Sequence, residues 1–147
     1  KIVANIDIRD IENVYKVNVY SNILFSRFLI PKMIKDNYGR FIFFTSTRAN
    51  RGDIGISLYS SSKQAMTGFS RCLAKEYAKF NITSNILLLG NFNFGMFTRL
   101  NSSKKKQLLN KVPSKKHGKI DNIYNAIEFI INSDYVNNSE IKIDGGL

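Results

Sequence analysis

Residues 41–90 read FIFFTSTRANRGDIGISLYSSSKQAMTGFSRCLAKEYAKFNITSNILLLG, and this stretch decides the fold. One end, FIFFTS (41–46), is short and almost continuously apolar, the pattern of a parallel strand covered on both faces, and the other, NITSNILLLG (81–90), reads as another buried strand ending at Gly90. From about Leu58 to Phe80 the period turns helical, with Met66, Phe69, Leu73, Ala74 and Tyr77 along one face. The polar, glycine-containing TRANRGDIGIS between them reads as a loop. Outward from this unit, residues 11–36 carry apolar side chains at mostly helical spacing, with Pro31 expected to kink or interrupt the last turns. A helix is expected at about Asn122 to Asn132, and EIKIDGG (140–146) reads as a last short strand. Helices alternating with buried strands predict an α/β chain with a mostly parallel sheet, whose functional crevice lies beyond the carboxyl ends of its strands.

A length of 147 residues with 44% hydrophobic and 12% aromatic side chains suffices for one globular domain with a substantial core. No apolar run is long enough to span a bilayer, and the charged N-terminus KIVANIDIRDIENVYK does not read as a signal peptide, so a cytoplasmic location and no membrane partner are expected. Cys72 is the one cysteine, and its place in GFSRCLAKEY reads as small packing filler on a helix rather than as a nucleophile. The net charge of +11 is local: residues 99–119, RLNSSKKKQLLNKVPSKKHGK, hold eight basic residues and no acid. That segment reads either as a solvated loop and helix face or as a docking patch for an anionic partner. No nucleic-acid-binding signature accompanies it, and a nucleic-acid partner is not expected.

Chemistry first shows at Tyr59 and Lys63, four residues apart and therefore on one helix face. With 7 Tyr and 15 Lys in the chain, chance alone gives about 0.7 such pairs, so the spacing is weak by itself. A carbonyl reduced by hydride needs a proton donor beside the forming alkoxide. A phenol can serve when a cation one turn away stabilises its phenolate. Ser46 falls at a strand end, where a hydroxyl can donate to the substrate oxygen. Asn18 is odd in mid-helix, because asparagine competes there for local backbone bonds.

Ser46 lies 13 residues before Tyr59, and Asn18 lies 28 before Ser46. With these spacings, and with GRFIFFTS, YSSSKQAMTGFSRCLAKEYAKFNITSN and the closing IDGG in order, the chain resembles the short-chain dehydrogenase/reductases, most closely the 3-oxoacyl-(acyl-carrier-protein) reductase type. The resemblance implies the C-terminal part of a Rossmann-like doubly wound parallel sheet. It implies an NAD(P)-dependent oxidoreductase interconverting a carbonyl and an alcohol, with NADP or NAD as cofactor and a 3-oxoacyl thioester or similar carbonyl, small or carrier-linked, as substrate. Tyr59 becomes the acid/base, Lys63 the residue that orients the nicotinamide ribose and tunes Tyr59, Ser46 the substrate-positioning group, and Asn18 a support for a water-linked proton relay. Tyr59, Lys63, Gly90 and Phe92 become the cofactor contacts. The long helices at 11–36 and 58–80 are then expected to pair between subunits of a homo-oligomer, and the segment from Asn91 to about Lys116 to correspond to the family's substrate lid, on which Lys104, Lys105 and Lys106 offer an acidic carrier a docking point.

The resemblance also has departures. Leu89-Gly90 stands where the family usually has Pro-Gly, and Phe94 where a threonine commonly contacts the nicotinamide amide. None of the nine glycines forms the Gly-rich turn that brings backbone N–H groups to a dinucleotide pyrophosphate. Residues 1–147 therefore read as the catalytic and substrate half of a reductase domain, part of something longer. The alternative is a truncated noncatalytic remnant or an interaction module, exposing a sheet edge where strands belong.

Overall fold

The computed structural model describes the backbone of residues 1–147 and every side chain but that of Met96. Three parallel strands form the sheet, in the order β1 (Gly39–Ser46), β2 (Ile82–Leu89), β3 (Glu140–Ile143). The register runs from Gly39 opposite Ile82 to Ser46 opposite Leu89, and from Ile86 opposite Glu140 to Leu89 opposite Ile143. Strand β2 is central and buried from Ile82 to Leu88, its polar Thr83, Ser84 and Asn85 included, so its sequence shows no apolar–polar alternation. Its two faces feed separate cores. Ile82, Ile86 and Leu88 join Phe41, Phe43, Met66, Leu73, Val19 and Ile30, whereas Leu87 joins Phe92, Ile123 and Ile130. The first core is roofed by α2 (Ser21–Asp36) and α4 (Ser57–Glu76), the second by α6 (Ile120–Ile131). The sheet is thus covered on both faces, as the parallel reading requires.

The first helical stretch begins earlier than expected, at Ile8, because Asp7 and Asp10 form a reciprocal capping box, with Asp10 N–H donating to Asp7 Oδ1 at 2.9 Å and Asp7 N–H to Asp10 Oδ2 at 3.2 Å. It continues as α1 (Ile8–Tyr15), a π-helical turn at Lys16–Tyr20, and α2. Pro31 does not interrupt it; α2 runs through to Asp36. Both Pro31 and Arg27, whose carbonyl loses its partner to the proline ring, lie on the exposed side of the helix, where water can replace that bond.

The expected loop at 47–57 contains a short helix, α3 (Thr47–Arg51), capped by the Ser46 hydroxyl and closed by Gly52 at φ 75°. Helix α4 stops at Glu76 rather than Phe80, and a 3-10 turn at Ala78–Phe80 leads to Asn81 in the left-handed conformation. Cys72 is exposed rather than packed: it lies one step before the buried Leu73 on α4, off the face that carries Met66 and Ala74. The basic segment holds a 3-10 turn at Gly95–Arg99 and α5 (Ser102–Lys111), capped by Asn101.

Two asparagines fasten β3 to the centre of the sheet. Asn85, fully buried on β2, donates to the Val136 carbonyl at 2.8 Å and accepts from Ser139 N–H at 3.0 Å. Asn137 accepts from Ser84 N–H at 2.9 Å and donates to the Ala74 carbonyl at 2.9 Å. The outer edge of β1 pairs with nothing among the described residues, and Phe44 there is 42% exposed. No helix is long and apolar enough to cross a membrane.

Candidate active site

Ser46, the last residue of β1, is half-buried at the carboxyl edge of the sheet. Its Oγ accepts from Arg48 N–H at 3.3 Å, which leaves the hydroxyl proton free to be donated outward. Helix α4 returns over the same edge with Tyr59 and Lys63 one turn apart, both half-buried. The Lys63 ammonium lies 5.9 Å from the Tyr59 ring centroid and donates to the Phe44 carbonyl at 3.0 Å. An ammonium has three donors, so two remain for groups arriving from the crevice. Burial pushes the Lys63 ammonium below the usual lysine range.

Asn18 reaches this corner from the other long helix. Its Nδ2 donates to Ser62 Oγ at 3.0 Å, and Ser62 Oγ donates to the Tyr59 carbonyl at 2.8 Å. Ser62 is fully buried, so it ties the Asn18 turn to the backbone of the turn that carries Tyr59. Asn18 itself sits in the π-helical turn, which explains its tolerance in mid-helix: the local ladder is already interrupted there, and the Asn18 carbonyl accepts from Asn22 Nδ2 at 2.9 Å. Ser21 and Ser26 likewise donate to the carbonyls of Val17 and Asn22. The polar run of Asn18, Ser21, Asn22 and Ser26 in an apolar helix was the available signal for this turn, and Ser62, beside Lys63, is a site residue that the spacing did not single out.

Gly90 and Phe92 lie past the carboxyl end of β2, on the same side of the sheet as Ser46. Gly90 N–H donates to the Ile143 carbonyl at 3.0 Å, and a Cβ on Gly90 would come within 2.6 Å of Asp144 Cα. Phe92 is 7% exposed and packs over Gly118, where a Cβ would come within 2.5 Å of its ring. Their neighbours are thus the closing IDGG segment and the second core, while Phe94, its ring centroid 5.5 Å from that of Phe92 and tilted by 53°, is exposed.

The three consecutive lysines of α5 diverge, as successive helical residues must. Lys105 is half-buried and donates to the Thr98 carbonyl at 3.1 Å, Lys106 is exposed, and Lys104 turns toward α3 to line a cleft with Arg48 and Arg51. The described residues contain no cluster of His, Cys, Asp or Glu able to hold a metal ion.

The family model described as short chain dehydrogenase matches residues 1–106. A 3-oxoacyl-[acyl-carrier-protein] reductase FabG of Buchnera aphidicola subsp. Schizaphis graminum is 35% identical over 138 residues, covering 92% of this chain and 57% of the relative. Carbonyl reductase family member 4 of Xenopus laevis is 31% identical, covering 94% of this chain and 57% of that protein. The chain therefore spans little more than half the length of the curated relatives it matches. A gluconate 5-dehydrogenase of Burkholderia cenocepacia J2315, solved in complex with NADP and tartrate, superposes with a TM-score of 0.92 over 100% of this chain and 59% of its own, at 22% identity, which establishes the likeness of fold. With a parallel sheet covered on both faces, Tyr59 and Lys63 on one helix over a strand-end serine, and a family match over most of its length, the chain belongs to the short-chain dehydrogenases.

Proposed function

We propose that this chain is the catalytic part of an NAD(P)-dependent oxidoreductase that interconverts a carbonyl and an alcohol, acting on a 3-oxoacyl thioester. The observation that carries the reading is the convergence of Ser46, Tyr59, Lys63 and Asn18 at one strand end, from three separate segments of sequence. The relatives named as reductases support it, and the FabG relatives support the thioester.

The residues present fit one end of the dinucleotide. Lys63, with donors to spare, and the Tyr59 hydroxyl would hold the nicotinamide ribose at the edge of β1, with Gly90 and Phe92 at the neighbouring strand end. When bound, the nicotinamide supplies the hydride that reduces the carbonyl carbon. The Ser46 hydroxyl donates to the substrate oxygen, stabilising negative charge as it develops there. The Tyr59 hydroxyl gives its proton to that oxygen, and the alcohol forms. The half-buried Lys63 ammonium, poorly solvated and close to the ring, favours the phenolate left behind. Asn18 acts at one remove, holding through Ser62 the turn that aims Tyr59. In the oxidation direction the same groups run in reverse, with Tyr59 as base.

A second copy of the chain is part of this reading. Helix α2 turns Leu24, Phe25 and Phe28 to the outside at 59%, 68% and 80% exposure, an apolar face suited to pairing with its like. The same face, with the open edge of β1, favours the alternative of an interaction module without turnover. The two separate on titrating the full chain with NADPH and NADH and then adding a 3-oxoacyl thioester. Saturable binding followed by oxidation of the nucleotide is expected; no saturable binding of either nucleotide contradicts the enzyme.

A further inference from the structure

Beside the acid/base corner, a cleft of about 250 Å³ opens between α3 and α5, lined among others by Arg48, Arg51, Asp53, Asn91, Lys104 and Lys111. Its walls are α3, directly after β1, Asn91 and α5 after β2, and Leu147 after β3, so it shares the crevice side of the sheet with Ser46. Among the side chains that line it, four cations face one carboxylate, an excess of three positive charges. Asp53 accepts from Arg48 Nε at 2.8 Å. That bond, with the charges of Arg48, Arg51 and Lys111, holds the Asp53 carboxyl below the usual aspartate range. None of Arg51, Lys104 and Lys111 has a carboxylate within 4.0 Å among the described residues.

Like charges brought together from two segments repel unless an anion joins them. A volume of about 250 Å³ lies below the roughly 300–1,000 Å³ of sites that enclose a whole small ligand, so the cleft fits an anionic group rather than a complete molecule. Three excess charges are more than a single carboxylate offsets, and planar guanidinium forks match phosphate oxygens. We propose that the cleft between α3 and α5 binds a phosphate or diphosphate group carried by the carbonyl substrate, anchoring the far end of that substrate while its carbonyl meets Ser46 and Tyr59. The anchor rests on the reading of Ser46 and Tyr59 as the reacting end. Of the three lysines at 104–106, only Lys104 belongs to it; the partners are Arg48, Arg51 and Lys111.

The test titrates the full chain with inorganic diphosphate at low salt by calorimetry. Arg51→Glu with Lys111→Glu is expected to weaken binding about tenfold or more, the size of a lost charged contact. Lys116→Glu with Lys119→Glu changes the net charge equally outside this cleft and is expected to leave affinity within about twofold. Equal losses in both pairs, no loss in the first pair, or no binding by the unaltered chain overturns the site. If charge reversal lowers the thermal unfolding midpoint, Arg51→Gln with Lys111→Gln takes its place, with the same loss expected and the same results overturning it.

A second arm compares an acetoacetyl thioester of coenzyme A with the uncharged N-acetylcysteamine thioester. Tighter binding of the phosphorylated thioester by about tenfold, removed in the first pair, is expected. Diphosphate binding with no preference between the thioesters means a site for free phosphate and overturns the anchor. Tyr59→Phe leaves diphosphate binding unchanged. Lost anion binding with turnover intact strikes this inference alone, and intact anion binding without turnover strikes the proposed function alone.

Discussion

The carboxyl ends of β1 and β2 are held in different ways. At β1, polar side chains do the fastening: Ser46 caps α3, Lys63 donates to the Phe44 carbonyl, and Asn18 is bonded through Ser62 to the turn of Tyr59. At β2, shape does it: Gly90 fits against Asp144 and Phe92 fits against Gly118, with margins too small for a Cβ. Hydrogen bonds fix direction, which a proton-transferring group needs, whereas packing fixes position and leaves the outer segment from Gly95 to Lys111 free to carry mostly exposed polar residues.

Breaking the packed end should cost the most stability. Phe92→Ala removes a buried ring from the second core, and urea unfolding should register a loss of about 3–5 kcal/mol. Gly90→Ala is smaller: the new methyl meets backbone at Asp144, which cannot swing aside, so about 1–3 kcal/mol is expected, together with faster amide exchange at Asp144 and Gly145. Ser62→Ala touches the hydrogen-bonded end and costs about 1 kcal/mol in unfolding free energy, because Asn18 keeps partial access to water. Its effect on turnover should exceed its effect on stability, and the reverse order would break the contrast between the two ends.

The smallest effect is electrostatic. Asp53 has its folded value depressed by Arg48, so it adds stability above the unfolded aspartate range and loses it as pH falls through the folded value. Arg48→Ala should therefore lower stability slightly in the neutral region, leave it little changed below the folded value of Asp53, and so flatten the acid limb of the stability profile between the two.

The strand-helix-strand unit was legible because burial on both faces goes with the apolar runs at 41–44 in β1 and 86–89 in β2, and because the apolar face of α4 repeats at helical spacing from Met66 to Leu73 and Tyr77. The corner was legible because Tyr59 and Lys63 depend on local spacing, and helix geometry converts spacing into proximity. The rest depends on contacts that no short window holds. The partner of Asn18 is Ser62, 44 positions away, and Asn137 joins Ser84 across 53. Cys72 reads as packing filler from its place in a helix, yet one residue of rotation about α4 separates it from the buried Leu73. The cleft between α3 and α5 draws its cations from residues 48–51 and 104–111, and a count along the chain sees only the second group.

The central claim is that Tyr59 is the proton donor of the corner at the end of β1. Turnover of a 3-oxoacyl thioester by Tyr59→Phe, measured beside nucleotide affinity, tests it most directly. A fall of about 10²–10⁴-fold in turnover with affinity held within about twofold is the predicted result. Turnover within about tenfold of the unaltered chain contradicts the account.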